Sequence, residues 1–258
     1  MQLNIGWLYP KLMSTYGDRG NVICLQRRCQ WREIEAHITP LDANTHEDDF
    51  NNFDLVVGGG AQDRQQEIVM RDLRGKKAEI LKEKLHSGIP GVFTCGSPQL
   101  LGKYYEPAMG QRIEGLGILD LVTKHPGASI SRCIGNVAFE LVAPSLAEDI
   151  KMMTGESPTV VGFENHGGRT YLGNVSPLGK VISGNGNNGE DGWEGAFYQN
   201  SIATYAHGPL LPKNPFLADW LIIKAIELKY QETITLSALD DSLATLGRKA
   251  MLKKMGVS

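Results

Sequence analysis

Short apolar runs alternate with longer stretches of mixed polarity through the first hundred residues. Residues 3–8 form the first apolar run, followed by a glycine-broken turn at 17–21 and a helical periodicity over about 22–33. Further strand patterns cover 36–40 and 53–57, the second stopping at Gly58-Gly59-Gly60. Residues 74–87 repeat apolar positions at Ala78, Ile80, Leu81 and Leu85, the spacing of a helix that ends at Gly88. The apolar run 89–94 then meets a turn at Cys95 and a helix-like stretch from Gly96. This order of short apolar strands and helices predicts an α/β fold with a mostly parallel sheet flanked by helices.

The second half has a different texture. Strand patterns at 137–141, 159–164 and 202–206 are separated by turns rich in glycine and asparagine, the densest at 184–192. Residues 216–230 carry Leu217, Trp220, Leu221, Ile223, Ala225 and Leu228 at the spacing of an amphipathic helix, and 237–258 reads as a second, more basic helix. No internal repeat or long linker interrupts the chain. The expected organisation is one domain over 1–235 and a helical tail over 236–258.

Composition narrows the function classes. A chain of 258 residues with 41% hydrophobic and 21% charged residues is an ordinary globular protein with room for a large core. Its net charge of -3 argues against a nucleic-acid binder that relies on overall positive charge. No stretch is long and apolar enough for a membrane span, and the polar start Met1-Gln2-Leu3-Asn4 is unlike a signal peptide. Four cysteines (Cys24, Cys29, Cys95 and Cys133) without a C-x-x-C pair predict neither a disulfide scaffold nor a metal site. A cytoplasmic setting is expected.

Cys95 is the candidate nucleophile. A thiol at a strand-to-helix elbow points out of the sheet edge, where the helix N-terminus favours the thiolate. Such a nucleophile needs a base, and histidine is the usual one. His37, His46, His86 and His125 fall in polar loops or on helix flanks, whereas His166 and His207 each end a strand pattern. Sites in open α/β sheets gather at the carboxyl ends of strands. His207, followed by the turn Gly208-Pro209, is favoured over His166. Acyl transfer also needs amides aimed at the developing oxyanion, and Gly60 and Gly96 are the candidate donors. A phosphate loop is the rival use of such glycines. No G-x-x-x-x-G-K-[ST] string occurs, and the stretch Gly96 to Gly102-Lys103-Tyr104 has the wrong spacing.

The string Cys95-Gly96-Ser97-Pro98-Gln99-Leu100-Leu101-Gly102 resembles the nucleophile elbow of class I glutamine amidotransferases. It is most similar to the cobyric acid synthase-like branch, whose elbow runs roughly C-G-G-[FY]-Q-x-[LM]-G. Gly58-Gly59-Gly60-Ala61-Gln62-Asp63 is similar to that branch's oxyanion strand, and Gly162-Phe163-Glu164-Asn165-His166 resembles its G-[FY]-E-x-H segment. Tyr205-Ala206-His207-Gly208-Pro209 matches its histidine strand. With Tyr16-Gly17-Asp18-Arg19-Gly20-Asn21 near the start, nearly the whole chain looks like the amidotransferase subunits of lipid II isoglutaminyl synthases.

The resemblance implies a class I glutamine amidotransferase-like fold and hydrolysis of L-glutamine to glutamate and ammonia through a thioester on Cys95, with His207 as base. It implies delivery of ammonia to a Mur ligase-like subunit in a heterodimer. That partner would use ATP and Mg to amidate the D-glutamate α-carboxyl of the peptidoglycan stem peptide; no cofactor is expected in this chain. Arg132 maps onto the family's glutamine-binding arginine, whose planar fork suits a carboxylate, and Gln99 joins it as a candidate substrate contact.

Two departures stand out. Many class I elbows carry glycine where this chain has Phe93, and Ser97 replaces the elbow's second glycine. Pro209 stands where ordinary class I members place a glutamate that orients the histidine. The orienting acid is therefore expected from the partner or from Glu164. Two other uses of the same motifs are amidation of a different acceptor, as in cobyric acid-type synthesis, and thiol hydrolysis of another amide. A docking subunit without activity would need neither Cys95 nor His207.

Overall fold

The computed structural model describes residues 1–257 apart from 128, 156 and 157. In chain order the first half contributes β1 (Gln2–Leu8), α1 (Arg19–Gln30), β2 (Glu35–Leu41), β3 (Leu55–Gly58), α2 (Asp63–Asp72), α3 (Lys76–His86), β4 (Gly91–Thr94) and α4 (Gly96–Leu101). The central sheet has six strands in the order Ala196–Tyr198, Ser201–Thr204, β4, β3, β1, β2, all parallel except the first. The expected mostly parallel sheet is present.

Alternation along each central strand sends side chains to two cores, as the period of two in a strand requires. Leu55 and Val57 of β3, Val92 of β4 and Ile202 pack with Leu25 of α1 and with Leu217 and Trp220 of the helix Pro215–Tyr230. Val56, Phe93 and Ala203 face the other way, toward Val69 of α2 and Leu81 and Leu85 of α3. Residues buried on both sides explain why these strands read as continuous apolar runs.

Three expectations need correction. The helix Pro215–Tyr230 is not simply amphipathic: Leu217, Ala218, Leu221, Ile222, Ala225 and Ile226 are all buried. A second helix, Pro144–Thr154, lies against it, with the Trp220 indole N–H donating to Asp149 at 2.9 Å. Helix α2 follows the glycine run, where no helix was expected. Two four-stranded sheets occupy much of the second half; one contains Leu121–Lys124 and Arg169–Leu172, the other Cys133–Leu141 and Val160–His166. Cys133–Leu141 and Val160–His166 extend the strands expected at 137–141 and 159–164, whereas four-residue strands such as Leu121–Lys124 and Arg169–Leu172 are too short to show a pattern.

The tail becomes helical only at Ser242–Lys254. The extended segment before it is held against α1 by buried arginines. Arg28 donates to Asp219 and Asp241 at 2.6 Å each, and Arg32 donates to the Ser237 carbonyl at 2.7 Å. Among the described residues no helix is long and apolar enough to cross a membrane.

Candidate active site

Strands β1, β3, β4 and Ser201–Thr204 are parallel, so their carboxyl ends open at one edge of the sheet. The backbone at Cys95 takes φ 51° and ψ -96°, a conformation non-glycine residues rarely hold. Its amide donates to the Thr204 carbonyl at 2.9 Å, which ties the elbow to the strand leading to His207. Both elbow departures find their space here. The Phe93 ring fills the room left by Gly58 and Gly91, where an added Cβ would lie 2.9 and 2.5 Å from it. The Ser97 hydroxyl donates to the Gly59 carbonyl at 2.7 Å and joins the elbow to the glycine run.

Gly60 stands among Cys95, His207 and Asp18. A Cβ at this glycine would sit 3.1 Å from His207 Cε1, 3.3 Å from Cys95 Cβ and 3.4 Å from Asp18 Oδ2. The imidazole is fully buried, with its Nδ1 3.2 Å from Asp18 Oδ1. The other carboxylate oxygen of Asp18 accepts from the Gly60 amide and from the Thr94 hydroxyl, both at 2.7 Å. Burial alone would lower the pKa of His207, but nearby Cys95 and Asp18 outweigh it and push the value up to about 10. Its Nε2 has no hydrogen-bond partner within ordinary limits. The thiol and imidazole are thus neighbours without a closed bond, as is common in active sites without substrate.

The orienting acid is therefore not Glu164. That carboxylate accepts from the Asn185 amide and side chain at 2.7 and 2.8 Å and from the Gly186 amide at 2.9 Å, pinning a turn on the far side of His166. Nδ1 of His207 carries at most one proton, and Asp18 occupies its direction. Asp18 arrives through the motif around it. A Cβ on Gly20 would lie 2.4 Å from Pro209 Cγ, and the Asn21 side chain accepts from the Leu211 amide at 2.9 Å. The start of α1 thus grips the turn that follows His207. Asp18 was legible only as one letter of a motif 189 positions from its partner.

Gly60 also changes role, because its amide is taken by Asp18 and is not aimed at an oxyanion. The next amide along is that of Ala61. A Cβ on Gly96 would lie 2.8 Å from the Ala61 nitrogen, so the two backbones nearly touch beside Cys95.

A cavity of about 530 Å³ opens in front of the thiol, lined by Cys95, Gln99, Arg132 and His166, and also by Asp63, Tyr105 and His125, whose positions in the chain gave no such signal. Gln99 is engaged at both ends, donating to the Tyr205 hydroxyl at 3.0 Å and accepting from Gln66 at 2.7 Å. Arg132 is exposed at the rim, held by donation to the Asn165 side chain at 3.1 Å and carbonyl at 3.0 Å. His166 stacks on Tyr205, with ring centres 3.7 Å apart, and its Nδ1 is 2.8 Å from the Gly168 carbonyl. A thiol, an imidazole and a carboxylate in this order, under paired amides, can carry acyl transfer.

A parallel sheet with a thiol elbow after one strand and a histidine after its neighbour defines the class I amidotransferase architecture. Solved structures agree at the level of fold. PurLQS from Thermotoga maritima is similar with a TM-score of 0.56 and 13% identity, over 90% of this chain and 100% of that one. The glutaminase domain of Trypanosoma brucei CTPS with bound acivicin is similar with a TM-score of 0.55 and 11% identity, over 93% and 98%. The CobB/CobQ-like glutamine amidotransferase domain matches residues 4–215, and the chain belongs to that family. It is 40% identical to the Lipid II isoglutaminyl synthase (glutamine-hydrolyzing) subunit GatD of Streptococcus pneumoniae over 94% of this chain and 88% of that protein. The subunit of the same name from Staphylococcus aureus is 39% identical over 88% and 86%.

Proposed function

We propose that this chain is the glutamine-hydrolysing subunit of a lipid II isoglutaminyl synthase. The observation that carries it is the buried line Asp18–His207 beside Cys95, in a chain with near full-length similarity to two such subunits. His207 takes the proton from Cys95 Sγ, and the thiolate attacks the side-chain amide carbon of L-glutamine. The amides of Ala61 and Gly96 hold the oxyanion, at roughly 3 kcal/mol per donor. The imidazolium then protonates the leaving nitrogen, ammonia departs, and a γ-glutamyl thioester remains on Cys95. A water molecule deprotonated by His207 attacks that thioester and releases glutamate and the free thiol. Asp18 holds the imidazole in the productive tautomer and stabilises its charged form. Arg132, which lines the cavity, grips the substrate α-carboxylate.

Ammonia passes to a partner subunit, a Mur ligase-like protein that uses ATP and Mg to amidate the D-glutamate α-carboxyl of lipid II. The setting is the cytoplasm, where such a ligase meets its substrates. The test is release of ammonia from L-glutamine by the purified chain, alone and with the partner, beside Cys95→Ala. Turnover that falls to background in Cys95→Ala supports the proposal, and turnover that survives the substitution overturns it.

A further inference from the structure

We propose that Asp63 is the receptor for the substrate's α-ammonium group and makes the site selective for amides that carry one. This rests on the glutaminase reading above and adds the recognition of a second charge. A free α-amino acid brings a cation as well as a carboxylate, and Arg132 answers only the latter. Among the described residues, Asp63 is the sole Asp or Glu that lines the cavity containing Cys95 and Arg132.

Its carboxylate is available for the task. Asp63 is the first residue of α2, but capping of that helix is done by its neighbours, with the Gln65 side chain accepting from the Gln62 amide at 3.0 Å. No ion pair to Asp63 occurs among the described residues, although Arg64 lines the same cavity. Its one side-chain partner is the Tyr105 hydroxyl, which donates to Oδ1 at 3.0 Å and leaves Oδ2 for another donor.

The three groups share one cavity of about 530 Å³, which has room for a small amino acid. Tyr105 feels both groups: burial raises its hydroxyl pKa most, the Asp63 carboxylate adds to that, and Cys95 contributes further. Asp63, Tyr105 and the thiol all line the one cavity. In L-glutamine the ammonium nitrogen and the reacting carbonyl carbon are separated by three carbon atoms. A substrate whose amide carbon meets Cys95 therefore brings its ammonium to the Asp63 wall, while its carboxylate extends to Arg132.

The experiment compares L-glutamine with 5-amino-5-oxopentanoate, the same amide without the α-amino group, in the wild-type complex and in Asp63→Asn. The wild type is expected to prefer L-glutamine by about 10–100-fold in kcat/KM, the range of one charge-assisted hydrogen bond. Asp63→Asn is expected to erase that preference through KM and to leave turnover of the amino-free amide unchanged. A folded Asp63→Asn that keeps the preference, or that loses both substrates equally, overturns the assignment. Where Asp63→Asn fails to fold, product inhibition of the wild type decides: L-glutamate must inhibit at far lower concentration than glutarate, and equal inhibition overturns it. A wild-type complex that hydrolyses neither amide defeats the glutaminase reading instead.

Discussion

Two buried histidines stand at or just past the ends of strands in different sheets, and their surroundings set them to different work. His207 follows the parallel strand Ser201–Thr204, the neighbour of β4, with a carboxylate on Nδ1 and Cys95 close by. His166 ends an antiparallel strand of a peripheral sheet, its ring flat on Tyr205 and its Nδ1 on a carbonyl. One imidazole is set between a carboxylate and a thiol; the other is packed as a wall. A histidine at a strand end acquires its role from what the second ring nitrogen meets.

The sharpest way to break this contrast is to remove each ring in turn. His207→Ala is expected to lower glutamine hydrolysis to the level of Cys95→Ala, because groups that act as a unit lose their effect together. His166→Ala is expected to keep measurable turnover and to lose stability through the vacated stack on Tyr205. Glutaminase rates and melting temperatures of the two variants check both statements. The reverse ranking of rates would exchange the two roles.

Asp18→Asn probes the same comparison one bond further out. An asparagine cannot accept from His207, Thr94 and Gly60 all at once: its NH₂ must point either at the Gly60 amide or at Nδ1. One donor then faces another, or the imidazole takes the wrong tautomer. The rate is expected to drop by roughly 10²–10⁴, the scale known for an amide in place of an orienting carboxylate. The isolated chain should show this drop as fully as the complex, since the acid belongs to this chain. The imidazole pKa, which Cys95 and Asp18 together hold near 10, should fall. Because that value is raised above 6.5, the stability it contributes is fully present below 6.5 and is lost as pH rises through about 10. Stability of the variant should therefore change less over that window, which thermal melts across pH can follow.

Arg132 is exposed at the rim of the cavity, where smaller effects are expected. Arg132→Ala is expected to raise KM for glutamine with little change in kcat, at a cost of about 2–5 kcal/mol if the carboxylate pair is desolvated on binding. Arg132→Lys should recover little of this, since a single ammonium cannot reproduce the fork. Steady-state kinetics of the two variants provide the check.

How far the chain could be read without its structure follows the same division. Cys95, His207 and the glycine run lie at the ends of strands buried on both faces, whose apolar runs are strong local signals. The recognition wall was harder to see. Asp63 and Tyr105 come from a helix start and a three-residue strand, and His125 from a loop, so nothing local marks them as neighbours of the thiol. Asp18 was hidden differently. Its role depends on α1 packing against Pro209 across most of the chain, a contact no periodicity encodes. The motifs point instead to the partner or to Glu164, a carboxylate in a recognisable motif that the fold spends on a turn.

The smallest expected effect concerns Glu194, which holds the strand that leads to His207. Its carboxylate is fully buried; Oε1 accepts from the Thr204 hydroxyl at 2.5 Å and from the Tyr205 amide at 2.7 Å, while Oε2 has no partner. Burial raises its pKa from 4.5 to about 7, against the opposing pull of those hydrogen bonds. A raised value means that the native state keeps a proton which the unfolded chain releases. Its contribution to stability is thus fully present below 4.5 and is lost as pH rises to about 7, a total of about 3 kcal/mol. Glu194→Gln keeps an oxygen for Thr204 and Tyr205 and cannot ionise. Relative to wild type, it is expected to gain stability progressively between pH 4.5 and 7 and to hold that gain at higher pH. His207 titrates in both proteins and cancels from the difference. Activity at neutral pH should be nearly unchanged, because the strand keeps its anchors. Melts of the two proteins from acid to mildly basic pH provide the measurement. A difference that stays flat across this range would show that Glu194 titrates in the native protein as it does in the unfolded chain, and would overturn this account.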